Sequence, residues 1–123
     1  AYACASPLSD EESKREMHAN ANICKEEFHV EVPIKDIFRS DEEQPENVKC
    51  FLECVFKKNG VLVDGRIDRE KFIHAVTVHS NEGHAIKIAD ACVDDTEIST
   101  CDDVAKFHIC TIKASKDCTE HEH

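Results

Sequence analysis

Eight cysteines in 123 residues constrain the fold of this chain more than any other feature. An even number of cysteines in a small acidic protein is typical of a disulfide framework formed in an oxidising compartment. A cytosolic zinc protein would need closer thiol pairs such as C-x2-C, whereas the nearest cysteines here are Cys50 and Cys54. We therefore expect a secreted, extracellular protein that is held together by disulfide bonds.

Length and charge narrow the classes of protein further. The chain fits a single domain, residues 1–123, with a core of aliphatic residues and phenylalanine, because Trp is absent. A net charge of −11 argues against nucleic acid and anionic membranes as partners. No apolar run reaches the roughly 18 residues that a membrane span needs. The chain starts with AYACAS and not with Met, which fits a mature form whose targeting segment has been removed.

The segment Glu46–Gly60 is predicted to be a central helix. Its apolar residues recur at the spacing of one helix face: Val48, Phe51, Leu52, Val55 and Phe56. Cys50 and Cys54 lie one turn apart at the edge of this stripe, and their parallel side-chain directions make a bond between them awkward. We therefore expect each of them to bond to a different part of the chain.

Similar patterns predict five further helical segments joined by short links, and hence an all-α fold. The segment FHVEV at 28–32 alternates like a strand but is interpreted as an extended link, because Pro33 suits the start of a helix. A polar end, Ala114 to His123, follows the last apolar helix. The five segments are Ser9 to Cys24, Ile34 to Phe38, Arg69 to His79, Asn81 to Val93, and about Cys101 to Ile112.

No metal or cofactor site is predicted. The Asp64-Gly65 turn resembles the centre of a calcium-binding EF-hand loop, but Leu62 and Lys71 would then occupy positions that require carboxylates. A plain turn followed by Asp68 as a helix cap is expected instead. The group His74, His79 and His84 is a weak candidate because these residues are scattered round a helix. The group Cys118, His121 and His123 is also weak because it needs Cys118 to be a free thiolate.

The cysteine spacing C-x25-C-x3-C-x37-C-x8-C-x8-C, from Cys24 to Cys110, resembles the six-cysteine signature of insect odorant-binding and pheromone-binding proteins. The stretch KCFLECVFKKNGVLVDGRID is also similar to the corresponding part of that family. The resemblance extends from Ser9 to about Ala114. It implies a compact bundle of about six helices around a cavity for small apolar molecules. The disulfide bonds that it implies are Cys24–Cys54, Cys50–Cys101 and Cys92–Cys110.

Cys4 and Cys118 lie outside this signature and are expected to pair with each other. Some pheromone-binding relatives insert an apolar C-terminal tail into the cavity at low pH. The tail of this chain, SKDCTEHEH, has no large apolar residue, so the same switch is not expected here. A tethered tail would instead form a fixed wall or rim of the cavity.

The residues expected to contact ligand are inward-facing residues near helix ends and loops. Amphipathic stripes alone favour a packed core over a cavity, and only the resemblance shifts the interpretation towards a binding site. Two histidines on apolar faces, His79 and His108, are most simply core histidines, but they would make ligand release depend on pH between about 5 and 7 if charged beside the cavity. The remaining candidates are Ile34, Ile37, Phe38, Phe51, Leu52, Val55, Phe72, Val76, Ile88, Val104, Phe107 and Ile112.

The predicted function is a non-enzymatic carrier of small hydrophobic molecules such as an odorant, a pheromone or a fatty acid. No C-C-x-x-H phospholipase helix, phosphate-binding glycine loop, H-E-x-x-H or G-x-S-x-G motif is present. We expect a monomer or weak homodimer, with a receptor protein as a further candidate partner. The alternative is a protein of the same scaffold whose surface binds another protein. Basic residues that a carboxylate ligand could find at the cavity mouth are Lys35, Arg39, Arg66 and Lys106.

Overall fold

The computed structural model describes the backbone of residues 11–120 and the side chains of residues 11–116. Within this part the chain forms six helices and one short hairpin, which confirms the all-α prediction. The hairpin consists of two strands of two residues each. In chain order the elements are α1 (Glu11–Glu27), α2 (Ile34–Ile37), α3 (Glu46–Lys58), β1 (Leu62–Val63), β2 (Arg66–Ile67), α4 (Arg69–His79), α5 (Glu82–Cys92) and α6 (Cys101–Glu120).

The link between α1 and α2 is irregular, as predicted, and contains no strand. Val30 in this link is buried, while the chain passes through a positive φ of 52° at His29. The side-chain amide of Asn47 donates to the carbonyl oxygens of Phe28 and His29 at 3.3 and 3.4 Å. These bonds fix the link against the start of α3. Pro33 then serves as the N-cap of α2.

Helix α3 runs through the middle of the protein and agrees with the predicted central helix. It packs against α1 and α6, and its apolar stripe lies in the core. The helix ends at Lys58 with Asn59 as its C-cap, and Gly60 follows with a φ of +76°. The N–H of Val61 donates to the carbonyl of Phe56 at 2.9 Å, which closes the helix end. Glycine meets the need for a positive φ at this position without a steric cost.

The segment after α3 forms an antiparallel hairpin that the sequence indicated only as a turn. Leu62 pairs with Ile67, and Asp64 and Gly65 form the turn with φ values of 51° and 78°. The N–H of Ile98 donates to the Gly65 carbonyl at 2.6 Å, so the link between α5 and α6 closes over the hairpin.

Side-chain caps begin the three later helices. The Asp68 carboxylate accepts from the N–H of Lys71 at 3.1 Å, which confirms the predicted cap of α4. Asn81 accepts from the N–H of His84 at 2.8 Å at the start of α5. The Thr100 hydroxyl accepts from the N–H of Asp103 at 3.2 Å before α6. Helix α6 extends to Glu120 and so includes most of the segment that was predicted only as a polar end.

Three disulfide bonds join the helices, and all three agree with the pairing that the resemblance implies. Their Cα–Cα distances are 5.9, 4.8 and 5.9 Å, within the ordinary range for a disulfide. Helix α3 is thereby bonded to α1 and to the first residue of α6, and α5 is bonded to the middle of α6. The fourth expected bond, Cys4–Cys118, lies outside the residues whose side chains are described. In chain order the three bonds are Cys24–Cys54, Cys50–Cys101 and Cys92–Cys110.

Candidate functional site

The interior of the protein is an apolar cluster centred on α3. Phe51 and Leu52 are fully buried and Val55 is 3% exposed, as expected for the stripe of the central helix. Helix α6 covers this stripe with Val104 and Phe107, both buried. Most of the predicted ligand-contacting residues therefore come together in one cluster.

Three phenylalanines on different helices meet within this cluster. The ring of Phe107 on α6 lies 5.3 Å from the ring of Phe72 on α4 and 6.0 Å from that of Phe56 on α3, both edge to face. Such edge-to-face pairs add a directional preference to the apolar burial. They fix the separation of α3, α4 and α6 on this side of the interior.

Helix α2 also packs against the cluster. Ile37 is 1% exposed, whereas Ile34 and Phe38 are half-buried. The ring of Phe38 lies 6.2 Å from that of Phe51 and 5.6 Å from the imidazole of His108. Nε2 of His108 donates to the carbonyl of Ile37 at 3.0 Å. This short helix and its C-cap residue are therefore bound to α6 by one hydrogen bond and to the core by three apolar side chains.

His79 does not lie where the sequence analysis expected it. Its side chain is exposed at the last residue of α4, and the neighbouring Val78 is buried instead. The burial pattern shifts at this end because the chain turns back into α5 after only two residues. The other candidates on the later helices are inward: Phe72 and Ile88 are buried, and Val76 and Ile112 are half-buried.

Several interior residues were missed by the sequence analysis. Leu62 and Ile98 are buried because the hairpin and the α5–α6 link close one end of the cluster. Neither lies in a periodic pattern, so no sequence signal marks them. His84 is also buried, and its position four residues before Ile88 on the stripe of α5 could have indicated this.

Burial lowers the pKa of both buried histidines, which favours their neutral form. Burial lowers the pKa of His108, and its bond to the Ile37 carbonyl offsets this only in part. Burial likewise lowers the pKa of His84, with a further contribution from the charge of Lys87. Nε2 of His84 lies 3.3 Å from the Ser115 hydroxyl on α6. The interior thus contains two imidazoles that have hydrogen-bond partners and whose neutral form is favoured.

A salt-bridge cluster lies at the other edge of α3, beside the Cys50–Cys101 bond. The ammonium group of Lys49 donates to Asp102 at 2.6 Å and to Glu43 at 2.5 Å, although its side chain is only 10% exposed. The hydrogen bond to Asp102 is the largest cause that raises the pKa of Lys49. The cluster ties the loop before α3 to the start of α6. Nothing in the sequence pattern indicated this role.

Beyond the apolar cluster, the described residues offer a group of possible metal ligands, four exposed basic residues and a surface pocket. Among the described residues the one group close enough to hold a metal ion is Glu46, Cys50 and Cys101, and the two sulfurs are bonded to each other. The four basic residues considered for a carboxylate ligand are exposed. An open pocket lies at the end of α1 and the link after it, and is lined by Asn22, Lys25, Glu26, His29, Val30 and Glu31.

In the described part of the chain, six helices cross-linked by three disulfide bonds around an apolar interior define the class of this protein as a disulfide-linked helical bundle. Residues 7–114 match the model of the PBP/GOBP family. The chain therefore belongs to the PBP/GOBP family. A sequence search of the curated proteins finds no significant match. None of the described helices is long and apolar enough to cross a membrane.

The fold is also similar to that of a solved structure, the fatty acid binding protein OBP56a from the oral disk of the blowfly Phormia regina. The two chains share 23% sequence identity with a TM-score of 0.65. The similarity covers 90% of this chain and 98% of the blowfly protein. It therefore supports the same arrangement of helices over nearly the whole domain.

Proposed function

We propose that this protein is a carrier that binds small hydrophobic molecules in the apolar interior between α3, α4, α5 and α6. The observation that supports this most strongly is the match of residues 7–114 to the PBP/GOBP family. The blowfly protein of similar fold is titled a fatty acid binding protein, which is consistent with the same kind of ligand. Binding and release of such a ligand need no catalytic group, so the proposal is of a non-enzymatic carrier.

The disulfide bonds hold the helices together while a ligand replaces contacts between side chains in the interior. Each bond closes a loop of tens of residues and stabilises the fold by roughly 3–4 kcal/mol in the chain-entropy model. The helices thus stay together even when the interior rearranges. A ligand that buries about 330 Å² of apolar surface gains up to about 8 kcal/mol, which corresponds to micromolar affinity.

Native mass spectrometry of the purified protein, followed by dye displacement, tests the carrier function. N-phenyl-1-naphthylamine should become fluorescent on binding, and fatty acids, alcohols and esters should displace it at micromolar concentrations. A protein that retains no lipid and takes up no dye at micromolar concentration would rule the carrier function out.

Three finer features belong to the same proposal. The disulfide bonds support secretion into an extracellular fluid, where the carrier acts as a monomer or weak homodimer and passes its ligand to a receptor.

We also propose that ligand release depends on pH, because His108 is buried in the apolar cluster against Phe38. Charging this imidazole on acidification would favour a rearranged interior. Dye affinity measured at pH 7 and pH 5 tests this, and equal affinities would contradict it.

A further inference from the structure

The disulfide bond between Cys50 and Cys101 has two carboxylates of α3 beside it. An oxygen of Glu46 lies 3.6 Å from Sγ of Cys50, and an oxygen of Glu53 lies 3.5 Å from Sγ of Cys101. Glu46, Cys50 and Glu53 follow one another at spacings of four and three residues, which places them on one face of the helix. Each sulfur of this bond therefore has a carboxylate next to it.

The lysines near this bond do not reverse the negative charge. The ammonium group of Lys49 is already bonded to the carboxylates of Glu43 and Asp102, at 2.5 and 2.6 Å. The ammonium group of Lys57 lies 3.8 Å from the second oxygen of Glu53 and is exposed to solvent. Among the described residues these contacts bring together four carboxylates, the two beside the sulfurs and those of Glu43 and Asp102, and two ammonium groups. The surroundings of the bond are therefore anionic.

The other two disulfide bonds have different surroundings. Cys24 of the Cys24–Cys54 bond is fully buried, so a reagent in solution reaches this bond only after the helices open. Both cysteines of the Cys92–Cys110 bond are half-buried, as are both cysteines of Cys50–Cys101. Among the described residues, however, no carboxylate oxygen lies within 4.8 Å of both sulfurs at Cys92–Cys110, whereas that of Glu46 does so at Cys50–Cys101. The molecule thus contains a comparison bond of similar exposure without the flanking carboxylate.

A disulfide is reduced when a thiolate attacks one of its two sulfurs. A bond forms between the attacking sulfur and one protein sulfur, the protein S–S bond breaks, and its electron pair leaves on the other cysteine as a thiolate, which takes a proton from water. A second thiolate then attacks the mixed disulfide. Two reagent thiols are thereby oxidised to one disulfide while the protein gains two thiols. Because the attacking and leaving sulfurs are both negative, neighbouring carboxylates oppose each step.

We propose that Glu46 and Glu53 protect the Cys50–Cys101 bond from anionic thiols and thereby determine the order in which the disulfides are reduced. An anionic thiol such as glutathione reduces Cys92–Cys110 first and releases α5 from α6. Cys50–Cys101 is protected by charge and Cys24–Cys54 by burial, so α3 stays bonded to α1 and α6. The partly reduced protein keeps its central helix joined to both neighbours while α5 is held by packing alone.

The test measures the reduction rate of each bond with two thiols of different charge. Cysteamine carries an ammonium group, whereas 2-mercaptoethanesulfonate carries a sulfonate. Free thiols are blocked with N-ethylmaleimide at successive times at low ionic strength, and tandem mass spectrometry of the peptides locates the label. The ratio of the two rates at Cys92–Cys110 corrects for the different reactivity of the reagents. We expect the preference for cysteamine to be about tenfold higher at Cys50–Cys101.

Salt and charge-removing variants should abolish this preference. Raising the ionic strength from about 0.01 to about 0.5 M should lower it to below about threefold, because salt screens exposed charges. The double variant Glu46→Gln, Glu53→Gln should lower it equally without added salt. Glu82→Gln is the matched control, since Glu82 is also in the first turn of its helix. The contact of His84 with Ser115 places this turn near the other end of α6, roughly 20 Å from Cys101, so the wild-type preference should persist.

Equal preferences at the two bonds in the wild-type protein would overturn the proposal. So would reduction of Cys50–Cys101 before Cys92–Cys110 by the sulfonate, or a preference that survives in the double variant or in salt. Thermal unfolding shows first that each variant is folded. Should the double variant not fold, the salt series and the single variant Glu46→Gln, at an exposed position, decide the same question.

Discussion

Acidification should destabilise this protein through His108, and the size of the effect can be worked out from its surroundings. The imidazole is 3% exposed and bonded to the Ile37 carbonyl, and burial lowers its pKa below the ordinary value of 6.5. Unfolding returns the group to water, where it binds a proton more readily. Between the two pKa values the unfolded chain thus binds more protons than the folded one, so stability is full above about pH 6.5 and falls as the pH decreases.

The linkage relation limits the effect to about 1.4 kcal/mol for each pH unit. From pH 6.5 down to pH 5 the limit is therefore about 2 kcal/mol, reached if the folded imidazole stays neutral throughout. The variant His108→Gln keeps an amide that can donate to the Ile37 carbonyl but cannot titrate. The free energy of unfolding of His108→Gln should therefore decline less on acidification than that of the wild-type protein.

Urea unfolding at several pH values between about 7.5 and 5 measures the difference between the wild-type protein and His108→Gln. On acidification the free energy of unfolding of the wild-type protein should fall by up to about 2 kcal/mol more than that of His108→Gln. His74→Gln is the control, since His74 is exposed on α4 and its replacement should leave the wild-type pH dependence in place. If His108→Gln declines with pH as steeply as the wild-type protein, the reasoning from burial is refuted.

Three further predictions concern stability and can be measured by denaturant unfolding. Phe107→Ala should cost about 3–5 kcal/mol, because it removes a buried ring with two aromatic neighbours; a cost below about 1 kcal/mol would contradict its place in the core. Gly65→Ala should cost about 1–2 kcal/mol because of its φ of +78°, while the helical Gly83→Ala should be neutral or stabilising; equal effects would contradict the turn geometry. Replacing Cys92 and Cys110 together by Ser should cost about 3 kcal/mol, and an unchanged midpoint would show that this bond adds no stability.

The helices were predictable because each carries its own local signals. Helix α3 has an apolar stripe, lysines in its last turn and Gly60 after its end, and its bounds agree with the prediction to within two residues. Helix α4 begins after the cap Asp68 as expected. Such signals act over a few residues, so they are visible in the sequence without knowledge of the fold.

The candidate site was less predictable because burial depends on distant neighbours. His79 was expected inside and is exposed, since the tight return into α5 buries Val78 instead. Lys49 would ordinarily be assigned to the surface, yet Asp102, which is 53 residues away in the chain, pairs with it near the core. The Ser80 hydroxyl, which has no hydrogen-bond partner among the described residues, is likewise a property of packing, because the sequence does not show which polar groups find partners.

The distribution of the disulfide bonds has a consequence for the time scales of motion. Among the described helices α2 and α4 carry no cysteine, whereas α1, α3, α5 and α6 are covalently joined into one network. Opening of α4 away from this network requires only the loss of packing and hydrogen bonds. We expect its backbone amides to exchange hydrogen for deuterium through a local opening, while the amides of α3 exchange only on global unfolding. The wall of the interior that carries Phe72 would then be the part that opens first.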